Sequence, residues 1–160
     1  MDTIERMKLW FELYSLQERY VSALDNDDLE TWPTFFTEDC YYTIIPKENF
    51  DMGLSVGVVL CNNQRMLRDR VVSLRNANIY EEHTYRHMTS GLVIEPVDAD
   101  TADMQSSYVV VQTRANGESQ VYQAGRYIDR VVRTPDGWKF ASKKVIYDTS
   151  RVQTLLATPI

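Results

Sequence analysis

Cysteine and histidine are scarce in this chain, two of each in 160 residues. Two thiols, Cys40 and Cys61, do not make a disulfide framework, and Cys40 stands inside the apolar run Cys40-Tyr41-Tyr42-Thr43-Ile44-Ile45, where a small thiol packs as a hydrophobe. Basic residues are outnumbered: 17 Lys and Arg stand against 23 Asp and Glu, a net charge of -6, so a phosphate backbone is on average repelled and nucleic acid is not an expected partner. No run approaches the ~20 apolar residues that a bilayer span requires. Met1 to Arg6 leads directly into a helical pattern rather than a charged-then-apolar leader. These absences give the expectation of a cytoplasmic chain with no membrane contact. With 44% hydrophobic residues, 160 positions suffice for one complete core and are too few for two ordinary domains, so residues 1–160 are read as a single domain.

The elements follow from period and punctuation. Leu9, Leu13, Leu16, Tyr20 and Leu24 recur at helical spacing among Glu12, Gln17, Glu18 and Arg19, which predicts an amphipathic helix over Ile4–Leu24. Asp25-Asn26-Asp27-Asp28 offers N-cap side chains to a second helix carrying Leu29, Trp32, Phe35 and Phe36, brief or distorted because Pro33 lacks an amide donor. Thr37 to Ile45 reads as a strand ended by Pro46, and Lys47 to Asn63, with Gly53 and Gly57 and no clean period, as a long functional loop. Met66, Leu67, Val71 and Leu74 predict a third helix. From Tyr85 onward, runs of Val, Tyr, Thr and Ile predict four strands. Asn116-Gly117 separates Tyr108–Arg114 from Ser119–Val132, and Thr134-Pro135-Asp136-Gly137 separates that strand from Trp138–Tyr147. Helices first and a strand meander last give an α+β class, with the N-terminal helices packed on a curved antiparallel sheet.

The strands lack the polar alternation of a half-exposed sheet. Tyr108-Val109-Val110-Val111 is apolar on both sides, as are Val121-Tyr122, Tyr127-Ile128, Val131-Val132 and Val145-Ile146-Tyr147. If helices cover one face, another protein covers much of the other; the alternative is a sheet curled round a dry internal pocket.

Signatures of chemistry are few. No Gly-x-Ser-x-Gly, Gly-x-Gly-x-x-Gly or phosphate-cradling loop occurs, and neither cysteine has a histidine close in sequence. A Rieske cluster needs two thiolates on one iron and two imidazoles on the other, and the required Cys-x-His with a later Cys-x-x-His is missing. His83 and His87 are four apart, a spacing that could hold a metal on a helix, but the stretch reads as a strand, where four residues span roughly 13 Å. Glu81 and Glu82 could add oxygen ligands, but neighbours on an extended chain point oppositely. A hydrogen-bonded structural His87 is the expectation, with no metal, cofactor or catalytic residue assigned to this chain. One acid/base reading stands beside it. Asp25, at the end of the first helix, could pair with His87 in the mouth of a curved sheet, whereas the plainer reading makes Asp25 one of a solvated group with Asn26, Asp27 and Asp28.

Several segments taken in order resemble a known family. Trp32-x-x-Phe35-Phe36-x-x-Asp39-x-x-Tyr42-x-x-x-Pro46, Met66-Leu67-x-Asp69-Arg70-Val71, Tyr85-Arg86-His87, Trp138-Lys139-Phe140 and Val145-Ile146-Tyr147-Asp148, with the closing Leu155-Leu156-Ala157-Thr158-Pro159-Ile160, are similar to the small (beta) subunits of aromatic-ring-hydroxylating dioxygenases. Trp32-Pro33-x-Phe35-Phe36, Pro46-Lys47-Glu48-Asn49-Phe50 and Ala77-Asn78-Ile79-Tyr80 most resemble the branch of salicylate 5-hydroxylase, terephthalate dioxygenase and anthranilate oxygenases. Pro33 and Gly91 depart from the wider family, where a non-proline helix residue and an asparagine are usual.

The resemblance implies a cone-shaped α+β roll of the kind shared with nuclear transport factor 2 and SnoaL-like cyclases. It also implies a structural role in a Rieske oxygenase whose large (alpha) subunit holds the [2Fe-2S] cluster and mononuclear Fe(II). Three large and three small subunits, the small ones forming a trimer through their sheets, would receive electrons from a ferredoxin or reductase. The implied substrate carries a carboxylate on its ring. Two alternatives share the fold: a stand-alone dehydratase, isomerase or cyclase using Asp25 and His87, and a small-molecule binding module.

Overall fold

Asp2 starts the first helix through a reciprocal capping box: its carboxylate accepts from the Glu5 amide at 2.8 Å, and the Glu5 carboxylate accepts from the Asp2 amide at 2.7 Å. In this computed structural model, which describes residues 1–77, 80–149 and 156–160, the helix α1 runs over Thr3–Asp25 and buries Leu13, Leu16, Tyr20 and Leu24, the stripe that the period predicts. Pro33 falls in the first turn of a short 3-10 helix, Trp32–Phe35, where its missing N–H costs nothing. The chain then enters β1 (Phe36–Pro46), α2 (Lys47–Asp51), β2 (Val59–Cys61) and α3 (Gln64–Asn76). Four long strands follow, β3 (His83–Pro96), β4 (Thr101–Arg114), β5 (Ser119–Thr134) and β6 (Gly137–Tyr147). Glycines at φ +83° (Gly117) and +102° (Gly137) make the two predicted hairpin turns possible.

The expected long loop over Lys47–Asn63 is irregular only in part: residues 52–58 lie between a helical turn and an edge strand. Tertiary pairing decides this: Tyr42 faces Cys61, Ile44 faces Val59, and the Thr43 hydroxyl donates to the Val59 carbonyl at 2.9 Å. Three residues of strand are too few to show a period.

Six strands form one sheet in the order β2-β1-β6-β5-β4-β3. It is mixed rather than wholly antiparallel, because β1 lies parallel to β6 while every other pair is antiparallel. The chain between β1 and β6 supplies the long connection that a parallel pair needs. Register shifts at Ser90/Val93, Val110/Val111 and Arg130/Val131 put bulges in three successive strand pairs, and bulges of this kind bend and twist the strands that carry them.

Inside the curve, Tyr85, His87, Met104, Tyr108, Val110, Tyr127, Val131 and Phe140 are buried beneath α1, and Leu67, Val71 and Leu74 of α3 join the same hydrophobic cluster. On the outer face Val109, Val111, Ile128 and Val132 are half-buried, and Met88 (54%), Val93 (49%) and Val121 (56%) are largely exposed. The apolar residues on both faces of the strands therefore differ in fate, one set packed and the other open to solvent.

Candidate functional site

Asp25 is the last residue of α1, and β3 brings His87 to it from 62 positions away. The His87 ring Nδ1 lies 2.6 Å from Asp25 Oδ1, and the His87 backbone N–H donates to Oδ2 at 2.9 Å and to Oδ1 at 3.2 Å. His87 Nδ1 therefore carries the proton if Asp25 is ionised, leaving Nε2 as an acceptor. Nε2 is buried with no hydrogen-bond partner among the described residues. The plainer sequence reading of Asp25, a solvated carboxylate among Asn26, Asp27 and Asp28, needs correction. Its side chain is only 11% exposed, and both its oxygens are engaged by β3. Asp27 does match that reading: it is exposed, at φ +57°, and its carboxylate takes Arg75 of α3 at 2.7 Å. A carboxylate holding both an amide and an imidazole of one strand ties the end of α1 to β3. The same contacts orient an imidazole, as an acid/base pair would require.

His83 does not join this pair. Its Nδ1 meets the Glu81 carbonyl at 2.8 Å and its ring lies between Tyr80 and Tyr85. His83 lines an open cleft of about 290 Å³ with Asp25, Asp27, Glu82 and Thr158. Among the described residues no group of three or more His, Cys, Asp and Glu could hold a metal ion, and burial pushes the Cys40 thiol up to about 11, far from thiolate character at neutral pH.

Two polar arrangements in the interior were not legible as sites. Asp129 and Lys143 face each other in register across β5 and β6, with Nζ 2.8 Å from Oδ2 and both side chains fully buried. The ammonium lies 3.8 Å from the centre of the Tyr127 ring and about 4.5 Å from those of Phe140 and Tyr20, so three aromatic faces replace its water. Burial pushes the Asp129 carboxyl up to about 6 although Lys143 opposes it, and burial draws Lys143 down. Phase was the available signal: Asp129 stands two residues from Tyr127 and Val131, and Lys143 two from Val145, all at inward positions.

The second arrangement joins the two ends of the sequence. The hydroxyls of Tyr20 and Tyr42 both donate to the Ile160 carbonyl, at 2.7 and 3.0 Å, and the Ile160 N–H returns to the Tyr42 oxygen at 3.2 Å. Ile160 is wholly buried in the main cluster, together with Tyr20, Trp32, Phe36, Tyr42 and Phe140. No local pattern could have shown a contact across 140 residues. Asn78, Ile79 and Leu155, which belong to segments carrying the family resemblance, lie outside the described residues.

The SnoaL-like domain family matches residues 11–144. The anthranilate 1,2-dioxygenase small subunit of Burkholderia cepacia is 71% identical over 156 residues, 98% of this chain and 97% of that one. A beta subunit of the terminal oxygenase component of terephthalate 1,2-dioxygenase from Comamonas is 34% identical over 93% of this chain and 97% of its own length. Among solved structures, a beta subunit ascribed to an aromatic-ring-hydroxylating dioxygenase of Novosphingobium aromaticivorans superposes with a TM-score of 0.88 at 42% identity, covering 97% of this chain and 99% of that one. A protein of the same organism ascribed to scytalone dehydration shares the fold alone, at TM-score 0.74 and 17% identity over 99% of this chain and 97% of that one. The chain belongs to the SnoaL-like domain family and, within it, to the small subunits of the aromatic-ring-hydroxylating dioxygenases, on the branch that includes the anthranilate and terephthalate enzymes.

Proposed function

We propose that this chain is a structural, non-catalytic single-domain subunit of a cytoplasmic multicomponent oxygenase that hydroxylates the ring of an aromatic carboxylate. The reading places the Rieske [2Fe-2S] cluster and mononuclear Fe(II) in the large (alpha) subunit, with electrons arriving there from a ferredoxin or reductase. Three small subunits associate as a trimer beneath three large ones. The names of the relatives, anthranilate and terephthalate dioxygenases, support the substrate class.

One observation carries the assignment of no chemistry to this chain. Asp25, of the pair best suited to proton transfer, is held by the His87 ring and the β3 backbone, and the imidazole side chain is wholly enclosed, so its Nε2, unpartnered among the described residues, is out of reach of solvent. An acid/base pair needs a reacting atom within hydrogen-bond reach. Asp25→Asn and His87→Gln, reconstituted with the large subunit and electron donor, should keep turnover per intact complex within about tenfold of the parent, below the 10²–10⁴-fold contribution of a positioned proton-transfer group. Complex yield, measured separately, should fall, since a broken buried hydrogen bond costs about 1–3 kcal/mol. A thousandfold loss of turnover at unchanged assembly and iron content would place chemistry in this chain and restore the dehydratase-like alternative.

A further inference from the structure

A helix on the surface of a domain needs one apolar stripe, and the first half of α1 has two. Leu13, Leu16 and Tyr20 pack into the core. On the opposite side of the helix Ile4 (77% exposed), Met7 (67%) and Phe11 (65%) stand in solvent at spacings of three and four, and partly exposed Trp10 and Tyr14 continue the stripe. The Trp10 and Tyr14 rings stack with centroids 5.0 Å apart and planes 6° from parallel, so they hold each other in place before any partner arrives. An open groove runs along each flank, one of about 410 Å³ between Trp10 and Ile94–Pro96 and one of about 300 Å³ between Lys8 and Thr101. The first turns of α1 therefore form a ridge with apolar anchors along its crest, the shape that a helix presents to a hydrophobic groove.

We propose that this ridge is the seat of the large subunit, which receives Ile4, Met7, Phe11 and the Trp10–Tyr14 stack in an apolar groove of its own. The inference rests on the proposed oxygenase assembly and adds the face by which its two kinds of chain meet. Direction decides between the large subunit and a second copy of this chain. Because α1 lies on the inner side of the sheet, its exposed stripe and the outer sheet face look in opposite directions. Contact between the stripe of one copy and the sheet face of the next would repeat as an open filament rather than close as a ring. Contact between two stripes would be two-fold and would double a trimer built through the sheets. Neither belongs to an assembly of three small and three large subunits, so the stripe falls to the other chain. The relative at 71% identity is itself a small subunit, which implies a large one beside it. Trp, Tyr, Phe and Met are also the residue types that interfaces enrich at their centres.

The test uses the full chain and the large subunit with which it is reconstituted. Met7→Cys puts a thiol at the middle of the stripe, while the native Cys40 and Cys61 are buried and burial raises both their values, so a maleimide reports on position 7. In the chain alone the labelling rate should stay the same across the concentrations over which the trimer forms, and the large subunit should slow it about tenfold or more. Met7→Glu with Phe11→Glu should leave the sedimentation of the chain alone unchanged and weaken binding to the large subunit about 100-fold or more, as the loss of two interface anchors does. If that variant does not fold, Met7→Ala with Phe11→Ala removes the same contacts without adding charge and should weaken binding about tenfold or more. Labelling as fast in the complex as in the free chain, or a folded double variant that binds as tightly as the parent, would overturn the proposal and leave the oxygenase reading intact. Labelling that slows with concentration in the chain alone would overturn it in favour of a second copy. A parent chain that does not bind the large subunit at all would remove the oxygenase reading, and this proposal with it.

Discussion

Lys143 carries its charge in the driest part of the molecule, with one carboxylate and three aromatic rings in place of water. Such a pair need not stabilise the fold relative to an apolar one, but breaking it is costly, because the survivor is a buried charge without compensation. Lys143→Met should therefore destabilise by about 3–5 kcal/mol at neutral pH, whereas adding Asp129→Leu to it should recover much of the loss. The pH dependence has a definite sign. Asp129 has its folded value raised to about 6, so the fold holds that proton more tightly than the unfolded chain does. Its contribution is fully present below the ordinary carboxylate value of about 3.9 and is lost as pH rises through the folded one. Removing Lys143, which opposes the rise, moves the Asp129 carboxyl further up, so the penalty of Lys143→Met should shrink on acidification, already above pH 6, as Asp129 takes up a proton and ceases to be a stranded charge. Urea unfolding at several pH values between about 4 and 8 reads this directly, and a penalty that stayed constant with pH would show that Asp129 is not ionised in the fold. At this scale the sequence displayed the charges but not their partners. Asp25 lay in a run of acidic residues that read as solvated, and only its packing against β3 separated it from Asp27, which is solvated as expected.

The elements were more legible than the residues. The first helix, the proline-shortened second one and the four strands after Tyr85 stand close to their expected positions, because period and turn chemistry are local. The strand expected over Tyr108–Arg114 begins instead at Thr101, and its first half, with Asp103, Gln105 and Ser107 facing outward, lacks an apolar signal on that face. Two glycines show what the sheet demands of single positions. Gly91 lies at φ +66° in the bulge between Ser90 and Val93, with open space where a side chain would project. Its left-handed backbone is one that Gly and Asn both tolerate. Gly91→Asn should change stability by less than about 1 kcal/mol, while β-branched Gly91→Val should cost more. Gly125 is constrained by space instead. A Cβ there would meet the Ile146 carbonyl at 2.0 Å, so Gly125→Ala must push β5 from β6, and a cost of about 1–3 kcal/mol or more is expected. Thermal unfolding of the three variants would separate the two causes, and equal costs for Gly91→Asn and Gly125→Ala would refute the distinction.

At the scale of the whole molecule, the outer sheet face remains an unmet demand. Met88, Val93 and Val121 stand about half exposed beside half-buried Val109, Val111 and Ile128, and such surfaces in proteins mark places of association. The chain purified alone should self-associate, as a trimer under the proposed assembly, and sedimentation equilibrium over a wide concentration range reads the mass. Introducing Val121→Asp with Met88→Glu should shift it toward monomer without altering the far-ultraviolet spectrum. A parent chain that is monomeric throughout would count against the proposed trimer. The sheet itself departs from a simple meander only where chain-distant strands meet, at the parallel β1–β6 pair and the edge strand β2. A parallel pairing has no turn to announce it, since its two strands are linked by the rest of the fold.

The sequence alone determined the class of this protein: helices before strands, apolar residues on both faces of the sheet, no Cys-x-His with a later Cys-x-x-His for a Rieske cluster, and a succession of aromatic motifs that marks the small-subunit family. These are properties of neighbouring residues or of totals, and both can be read along a line. Tertiary structure alone decided that Asp25 meets His87, that Lys143 and Asp129 share an aromatic box, and that Ile160 fills the place between Tyr20 and Tyr42. Each of these joins residues on separate elements, 14 to 140 positions apart, and such contacts exist only once the sheet has curved and the helices have closed over it.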